Sequence, residues 1–375
     1  MSKVRLGDVA RERKETCKSD KSEYPIVGLE HLTPGEITLS EWDEGVENTF
    51  TKLFRKGDML FGRRRAYLKK AALAPFDGIC SGDITVIEAL PERILPELLP
   101  FIVQNDSFFD FAVGKSAGSL SPRVKWEHLQ NYEFELPDME KQRELAKLLW
   151  SMDDTRKAYK ELLRRTDDLV KSQFMEQFIA LSDRKRLGDL ILQVRGVSYK
   201  PADLHLSLDN ESILLLRANN IGSGMINHDD VQYVAKERVS DVQRIMDGDI
   251  LMCGSSGSLE HVGKTALCTV AEAGETFGAF CKVIRCKEGL LPEFLSAYFR
   301  TEEYRSIIMQ LANGSNINNL KNEHIDELMI PLPSIDMQSE FIAFVRQSDK
   351  SKFELEQALS ELTATYKKIV SENLG

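Results

Sequence analysis

The chain predicts an α/β protein of the α+β kind, built as two tandem-repeated mixed domains. Each domain leads into a long helix, and the two helices pair antiparallel as a coiled coil that relates the halves by an approximate two-fold. Three observations carry this. His128-Leu129, Glu135-Leu136-Pro137, Met139 and Gln142 reappear about 196 residues later as His324-Ile325, Pro331-Leu332-Pro333, Met337 and Gln338. Each copy runs into a helical pattern of several turns. The length, 375 residues, suits two to three domains at roughly 150 residues each.

The repeat extends upstream with a drifting offset. Pro96-Glu97-Leu98 matches Pro292-Glu293-Phe294 and Ala117-Gly118-Ser119 matches Asn313-Gly314-Ser315, both 196 apart. Lys70-Ala71-Ala72-Leu73 matches Lys264-Thr265-Ala266-Leu267 at 194, Gly57-Asp58-Met59-Leu60 matches Gly248-Asp249-Ile250-Leu251 at 191, and Arg5-Leu6-Gly7-Asp8 matches Arg186-Leu187-Gly188-Asp189 at 181. Loop insertions in a duplicated fold leave this signature, and the period is too long for a solenoid. The expected divisions are a first domain over 1–136, a helical spacer over 137–181, a second domain over 182–332 and a second spacer over 333–375.

Within the first copy, short apolar runs at 24–29, 59–61 and 84–87 stand between Gly and Pro punctuation and predict strands, with one or two helices across 96–111. Pro137-Asp138 predicts a helix start, with Asp138 as N-cap and Lys141 in place of the acidic capping-box residue. A 3-4 spacing places a seam through 145, 148, 152, 155, 159, 162, 166, 169 and 173. In the second copy, the helix from Pro333-Ser334 carries Phe341, Val345, Ser348, Lys352, Leu355, Leu359, Leu362, Tyr366 and Ile369 on its seam. One helix delivers the chain to the second domain and the other starts there, so connectivity makes them antiparallel. Apolar residues beyond what a two-stranded seam buries, Leu149, Trp150, Leu163 and Phe174, predict a partner surface or packing against the domains.

Composition narrows the function classes. No run of about 18 apolar residues and no signal-peptide core occur. Six cysteines lie scattered at 17, 80, 253, 268, 281 and 286 without a Cys-x-x-Cys pair. A reduced, metal-free cytoplasmic protein is the expectation. Net charge of −10 opposes nucleic-acid binding only weakly, because local distribution decides, and Arg63, Arg64, Arg65, Lys69 and Lys70 fall within eight residues with no acid.

Taken together, the domain, the Leu-Pro-x-x-x-x-Gln helix start, the long helix and their repetition resemble the specificity subunit of type I restriction-modification systems. Leu136-Pro137 with Gln142, Ala146, Leu149 and Met152-Asp153, and Leu332-Pro333 with Gln338 and Ala343, carry the resemblance. The strand-entry tracts at 54–61 and 246–251 add to it. Asp153-Asp154 becomes Asp349-Lys350 in the second helix, a departure from the first copy. The resemblance implies a non-catalytic subunit of prokaryotic cytoplasm whose two target recognition domains each read half of a bipartite double-stranded DNA target. It further implies helices that dock two methyltransferase subunits, with restriction and motor subunits joining the complex. S-adenosylmethionine, ATP and Mg2+ would belong to those partners, and no cofactor to this chain.

Catalytic signatures are missing from the sequence. Residues 258–265 mimic a phosphate loop, yet Ser258 stands where its first Gly belongs, and Lys264 pairs with Lys70 in the repeat. There is no Asp/Asn-Pro-Pro-Tyr/Phe tract, His-Glu-x-x-His or Gly-x-Ser-x-Gly. A dispersed carboxylate nuclease site and a protein-binding adaptor braced by a coiled coil stay open as rivals.

For DNA contact, the first domain offers Arg63, Arg64, Arg65, Tyr67, Lys69 and Lys70, with a small polar loop containing Lys115, Ser119 and Arg123. Arginine suits guanine O6 and N7, and lysine and tyrosine suit phosphates. The second domain has lost the arginines at the matching place and offers Arg217, Asn219, Asn220, Ser255, Ser256, Lys264, Asn313, Ser315, Asn316 and Asn318, where asparagine suits adenine. Turn-building is the competing role for those asparagines. A repeated scaffold with dissimilar loops predicts two dissimilar half-sites.

Overall fold

The computed structural model describes residues 2–18, 21, 23–181, 183–222, 224–312 and 319–375. They form two compact units, Met1–Glu161 with Leu355–Gly375, and Leu162–Glu354. Each unit therefore contains one copy of the repeated domain and a stretch of both long helices.

The first unit runs through β1 (Ser2–Arg5), α1 (Leu6–Val9), β2 (Ala10–Glu12), β3 (Ile26–Val27), β4 (Lys52–Phe54), β5 (Met59–Gly62), β6 (Ala71–Leu73), β7 (Gly78–Cys80) and β8 (Ile84–Ala89). Helices α2 (Leu99–Val103), α3 (Asp106–Gly114) and α4 (Trp126–Leu129) follow, then β9 (Glu133–Leu136) and α5 (Met139–Phe174). The strands assemble as β1-β9, β2-β8-β5-β6 and β3-β7-β4. Met59 to Gly62 are all buried, because β5 lies inside its sheet between β8 and β6.

The second unit repeats the plan with β10 (Arg184–Arg186), α6 (Leu187–Leu190), β11 (Ile191–Arg195), β12 (Leu204–His205), β13 (Ser212–Leu216), β14 (Gln232–Ala235), β15 (Ile250–Cys253), β16 (Thr265–Leu267), β17 (Thr276–Phe277) and β18 (Cys281–Cys286). Then come α7 (Pro292–Tyr298), α8 (Glu302–Ala312), α9 (Asn322–Asp326), β19 (Met329–Pro331) and α10 (Ile335–Leu374). Its sheets β10-β19 and β11-β18-β15-β16 match β1-β9 and β2-β8-β5-β6 strand for strand. The parallel pair β13-β17 matches the parallel pair β3-β7. The phosphate-loop mimic at 258–265 is a run of turns leading into β16, with no helix behind it.

The residues that carried the repeat are structural pins. Gly57 and Gly248 take φ of 91° and 83°, the left-handed region that glycine enters without penalty. That turn lets Asp58 accept from the Arg55 amide (2.7 Å) and Asp249 from the Met246 amide (2.8 Å). Each buried carboxylate then meets an arginine: Arg13 Nε at 2.7 Å, and Arg285 Nη2 at 2.7 Å. The arginine comes from just beyond β2 in one copy and from β18 in the other, so the ion pair is retained while its donor has moved. The repeated glutamines serve alike. Buried Gln142 donates to Pro137 O and accepts from Leu95 N, and buried Gln338 donates to Pro333 O and accepts from Leu291 N. Each glutamine thus ties the first turn of its helix to its own domain. Asp138 caps α5 by accepting from the Lys141 amide at 3.0 Å.

The seam of α10 runs through the expected residues, all buried or half-buried from Phe341 to Ile369. That of α5 needs correction. Leu148, Leu162 and Leu169 are 45%, 47% and 52% exposed, whereas Leu149 and Val170 are buried and Leu163 half-buried. The packed stripe therefore follows 145, 149, 152, 156, 159, 163, 166, 170 and 174. In the first unit Leu145 and Leu149 share a core with Val370 and Leu374. In the second, Val170 and Phe174 share one with Phe341 and Val345. The candidate partner residues shift accordingly. Leu149 and Phe174 are fully buried and cannot face a partner, Leu163 is half-buried on the packed stripe, and Trp150 stacks edge-on against Phe101 while donating to Glu97 O.

Candidate nucleic-acid interface

In the first unit, the chain leaves β5 directly into Arg63-Arg64-Arg65. The Arg63 amide donates to Asp83 O (3.0 Å), the Val124 amide donates to Arg63 O (3.0 Å) and the Arg65 amide to Pro122 O (2.8 Å). These bonds hold the polar loop against the basic segment, so two candidates separated by some fifty residues in sequence form one surface. Arg64 and Arg123 face each other in an antiparallel bridge, and Ala117 closes the loop through a second bridge to Arg123.

Asp83 organises the two arginines. Arg123 Nε lies 2.7 Å from Oδ1 and Arg64 Nη1 3.4 Å from Oδ2, while Arg64 Nε donates to Ser121 Oγ at 2.7 Å. Hydrogen bonding from Arg123 holds the Asp83 carboxyl below the usual carboxylate range. One carboxylate against Arg64, Arg65 and Arg123 leaves this surface positive, while Arg63 is half-buried with its Nε away from solvent. Beyond it, a 3-10 turn (Ala66–Leu68) sits between Arg65 and Lys69, both with positive φ. Ala66 is buried under the turn and Tyr67 is 54% exposed on it. Ser119 is exposed on the loop tip.

Other cations of the first unit are engaged within the fold. Lys69 pairs with Asp106 at 2.6 Å, Lys70 donates to Leu29 O at 2.6 Å, and the Lys115 ammonium lies over the Phe111 ring at 5.7 Å. Lys70 is thereby corrected from a DNA contact to a clamp on the 29–32 turn.

The second unit repeats the backbone and replaces the side chains. The Gly254 amide donates to Phe280 O (2.9 Å) and the Leu320 amide to Gly254 O (2.8 Å), the counterparts of the Arg63 and Val124 bonds. Ser255 bridges Asn319 where Arg64 bridges Arg123. Phe280 precedes β18 where Asp83 precedes β8, and its ring is 72% exposed. Lys282, largely buried in β18, donates to Gln193 Oε1, Leu320 O and Asn322 Oδ1, and so fastens residues 320–322 to the sheet. Burial pushes its ammonium down to about 8.

Of the remaining candidates here, Asn220 is corrected. It is fully buried, with its amide spent on the Arg217 amide, Asn227 O and Asp230 O, so it builds the turn instead of meeting a base. Arg217 and Asn219 both bind Asp230 and line a cleft with Ser255. Ser256 accepts from the Ser258 amide, and Lys264 lies 3.2 Å from His261 Nδ1. Asn313, Ser315, Asn316 and Asn318 lie outside the described residues. Sequence reasoning missed Asp83, Phe280 and Lys282, each a single residue at the start of a strand with no local motif. Among the described residues no three His, Cys, Asp or Glu side chains converge as metal ligands, and no helix is long and apolar enough to cross a membrane.

The family model for the type I restriction modification DNA specificity domain matches residues 1–164 and 210–363. The chain belongs to this family. Its curated relatives include the specificity subunits of the type I enzymes StySPI of Salmonella potsdam and EcoKI of Escherichia coli K12. Each is 34% identical over 168 residues, 44% of this chain and 36% of the relative. The EcoDI specificity subunit of Escherichia coli is 24% identical over 160 residues, 40% of this chain and 35% of the relative. The chain thus spans little more than a third of the length of the relatives it matches. Among solved structures, a chain from a study of type I restriction-modification complex assembly aligns with a TM-score of 0.60 at 20% identity, covering 99% of this chain and 97% of that one. The S subunit of a type I system from M. genitalium aligns at 0.58 with 13% identity, covering 100% and 96%. These two likenesses concern the fold.

Proposed function

We propose that this chain is the DNA sequence-specificity subunit of a type I restriction-modification complex, without catalysis of its own. Each recognition domain reads one half of an asymmetric bipartite target. The long helices set the spacing between half-sites and dock two methyltransferase subunits, which would supply S-adenosylmethionine chemistry on adenine. Restriction and motor subunits, with ATP and Mg2+, would join through that complex.

The observation that carries this reading is the pair of backbone hydrogen bonds repeated at β5 and β15 beneath unlike side chains. A duplicated enzyme site would keep its reactive groups. A duplicated reader keeps the loop anchor and varies what the loop presents, here Arg64, Arg123 and Asp83 against Ser255, Asn319 and Phe280. In the first domain, arginines at the groove suit guanine edges and phosphates.

Single-molecule methylation mapping of a host expressing this chain, with and without its cognate methyltransferase, tests the proposal. A single gapped, asymmetric adenine-methylation motif that requires both proteins is the expected result. No new motif with an active methyltransferase would favour a protein-binding adaptor instead.

A further inference from the structure

A cleft of about 460 Å3 opens in the second unit beside the start of β18, with Tyr199, Arg217, Asn219, Ser255 and Phe280 among its walls. Its volume lies in the range of sites that take small organic groups. Phe280 stands out as a large apolar residue, 72% exposed, whose backbone carbonyl accepts from the Gly254 and Ser255 amides. In the first unit the equivalent position carries Asp83, whose carboxylate is filled by Arg123 and Arg64. The second unit has exchanged that closed ion cluster for an aromatic face beside a cavity.

The rest of the wall is chemically matched to a flat heteroaromatic group. Arg217, tethered through Nη2 to Asp230 at 2.8 Å, forms part of the wall. The Tyr199 hydroxyl donates to Gln232 Oε1 at 3.0 Å, so its ring is held in place as a second apolar wall. Ser255 and Asn219 add a hydroxyl and an amide. A ring to stack on, with donors and acceptors around its rim, is how proteins hold single unstacked bases. A base inside a duplex, stacked on both faces, cannot offer its face to Phe280.

Resting on the DNA reading above, we propose that this cleft receives one nucleobase swung out of the duplex at the second half-site and stacks it on Phe280. The exchange is asymmetric between the domains, since the first holds the equivalent place shut with Asp83.

The test uses the full chain and a duplex containing its mapped target, with 2-aminopurine substituted at each position of the second half-site in turn. One position is expected to brighten on binding, as it leaves its neighbours. Phe280→Ala should abolish that brightening and weaken binding roughly tenfold or more, whereas Phe280→Trp should retain both. Tight binding with no brightened position overturns the proposal, as does unchanged affinity in Phe280→Ala. Loss of affinity without brightening means that the ring touches a stacked base, such as a thymine methyl, and also overturns it. Absence of any motif that depends on this chain in the methylation mapping removes the DNA reading together with this inference, an outcome distinct from the others.

Discussion

Arg65 and Lys69 adopt φ of 54° and 51°, a region where a residue with a Cβ is strained by about 1–2 kcal/mol. In the turn between them Ala66 is buried, and Tyr67 and Leu68 are exposed. The strain accompanies an arginine kept exposed at the edge of a positive surface. Arg65→Gly is expected to raise unfolding free energy by about 1 kcal/mol in urea titrations and to weaken DNA binding. If Arg65 meets a phosphate, the slope of log K against log salt should fall by about 0.9. A variant that is stabilised with undiminished binding would remove Arg65 from the interface.

Lys282 makes a prediction with a defined sign. Its folded pKa of about 8 lies below the ordinary 10.5, so between these values the unfolded chain binds more protons than the folded one. The penalty for burying the ammonium is complete below about 8 and is relieved as pH rises through it. The stability of the wild type relative to Lys282→Met should therefore increase from pH below 8 to pH above 8. Paired denaturation curves on either side test this, and a difference that stays flat with pH would mean the amine is solvated. The three acceptors around Lys282 make it a positioning residue for the segment at Leu320 and Asn322.

At the scale of elements, the helices teach how far periodicity reaches. A heptad step allows either i+3 or i+4 from Leu145, and at three places the sequence offers adjacent apolar residues: Leu148-Leu149, Leu162-Leu163 and Leu169-Val170. Pattern alone cannot choose between neighbours of equal hydrophobicity. Packing against Val370 and Leu374 in one unit selects Leu149, and packing against Phe341 and Val345 in the other selects Val170, while Leu163 is half-buried beside exposed Leu162. Leu149→Ala is expected to cost about 2–5 kcal/mol, and Leu148→Ala no more than about 0.5 kcal/mol, by thermal or denaturant unfolding. Equal costs would refute the assigned phase. The same shift exposes Leu148, Leu162 and Leu169, which replace Leu149, Leu163 and Phe174 as apolar side chains available to a partner.

For the whole molecule, duplication was legible because its anchors are backbone requirements. Gly57 and Gly248 supply left-handed turns, Asp58 and Asp249 satisfy amides within them, and Gln142 and Gln338 satisfy buried groups at the helix starts. Such residues have few substitutes, so they persist at matching positions and announce the two-copy plan, the mixed domains and the long helices. The basic segment at Arg63 to Arg65 was legible for a similar reason, as an uninterrupted run of charge.

The tertiary structure alone decided which candidates meet. It joined the segment after β5 to the loop ending at Arg123, buried Asn220, turned Lys70 inward and set Phe280 at the place of Asp83. These outcomes depend on side chains brought together across tens of residues by sheet pairing, where a single residue carries no pattern of its own. Local chemistry is written in order along the chain, but a surface is assembled from distant parts of it, and only the register of the strands determines which parts those are.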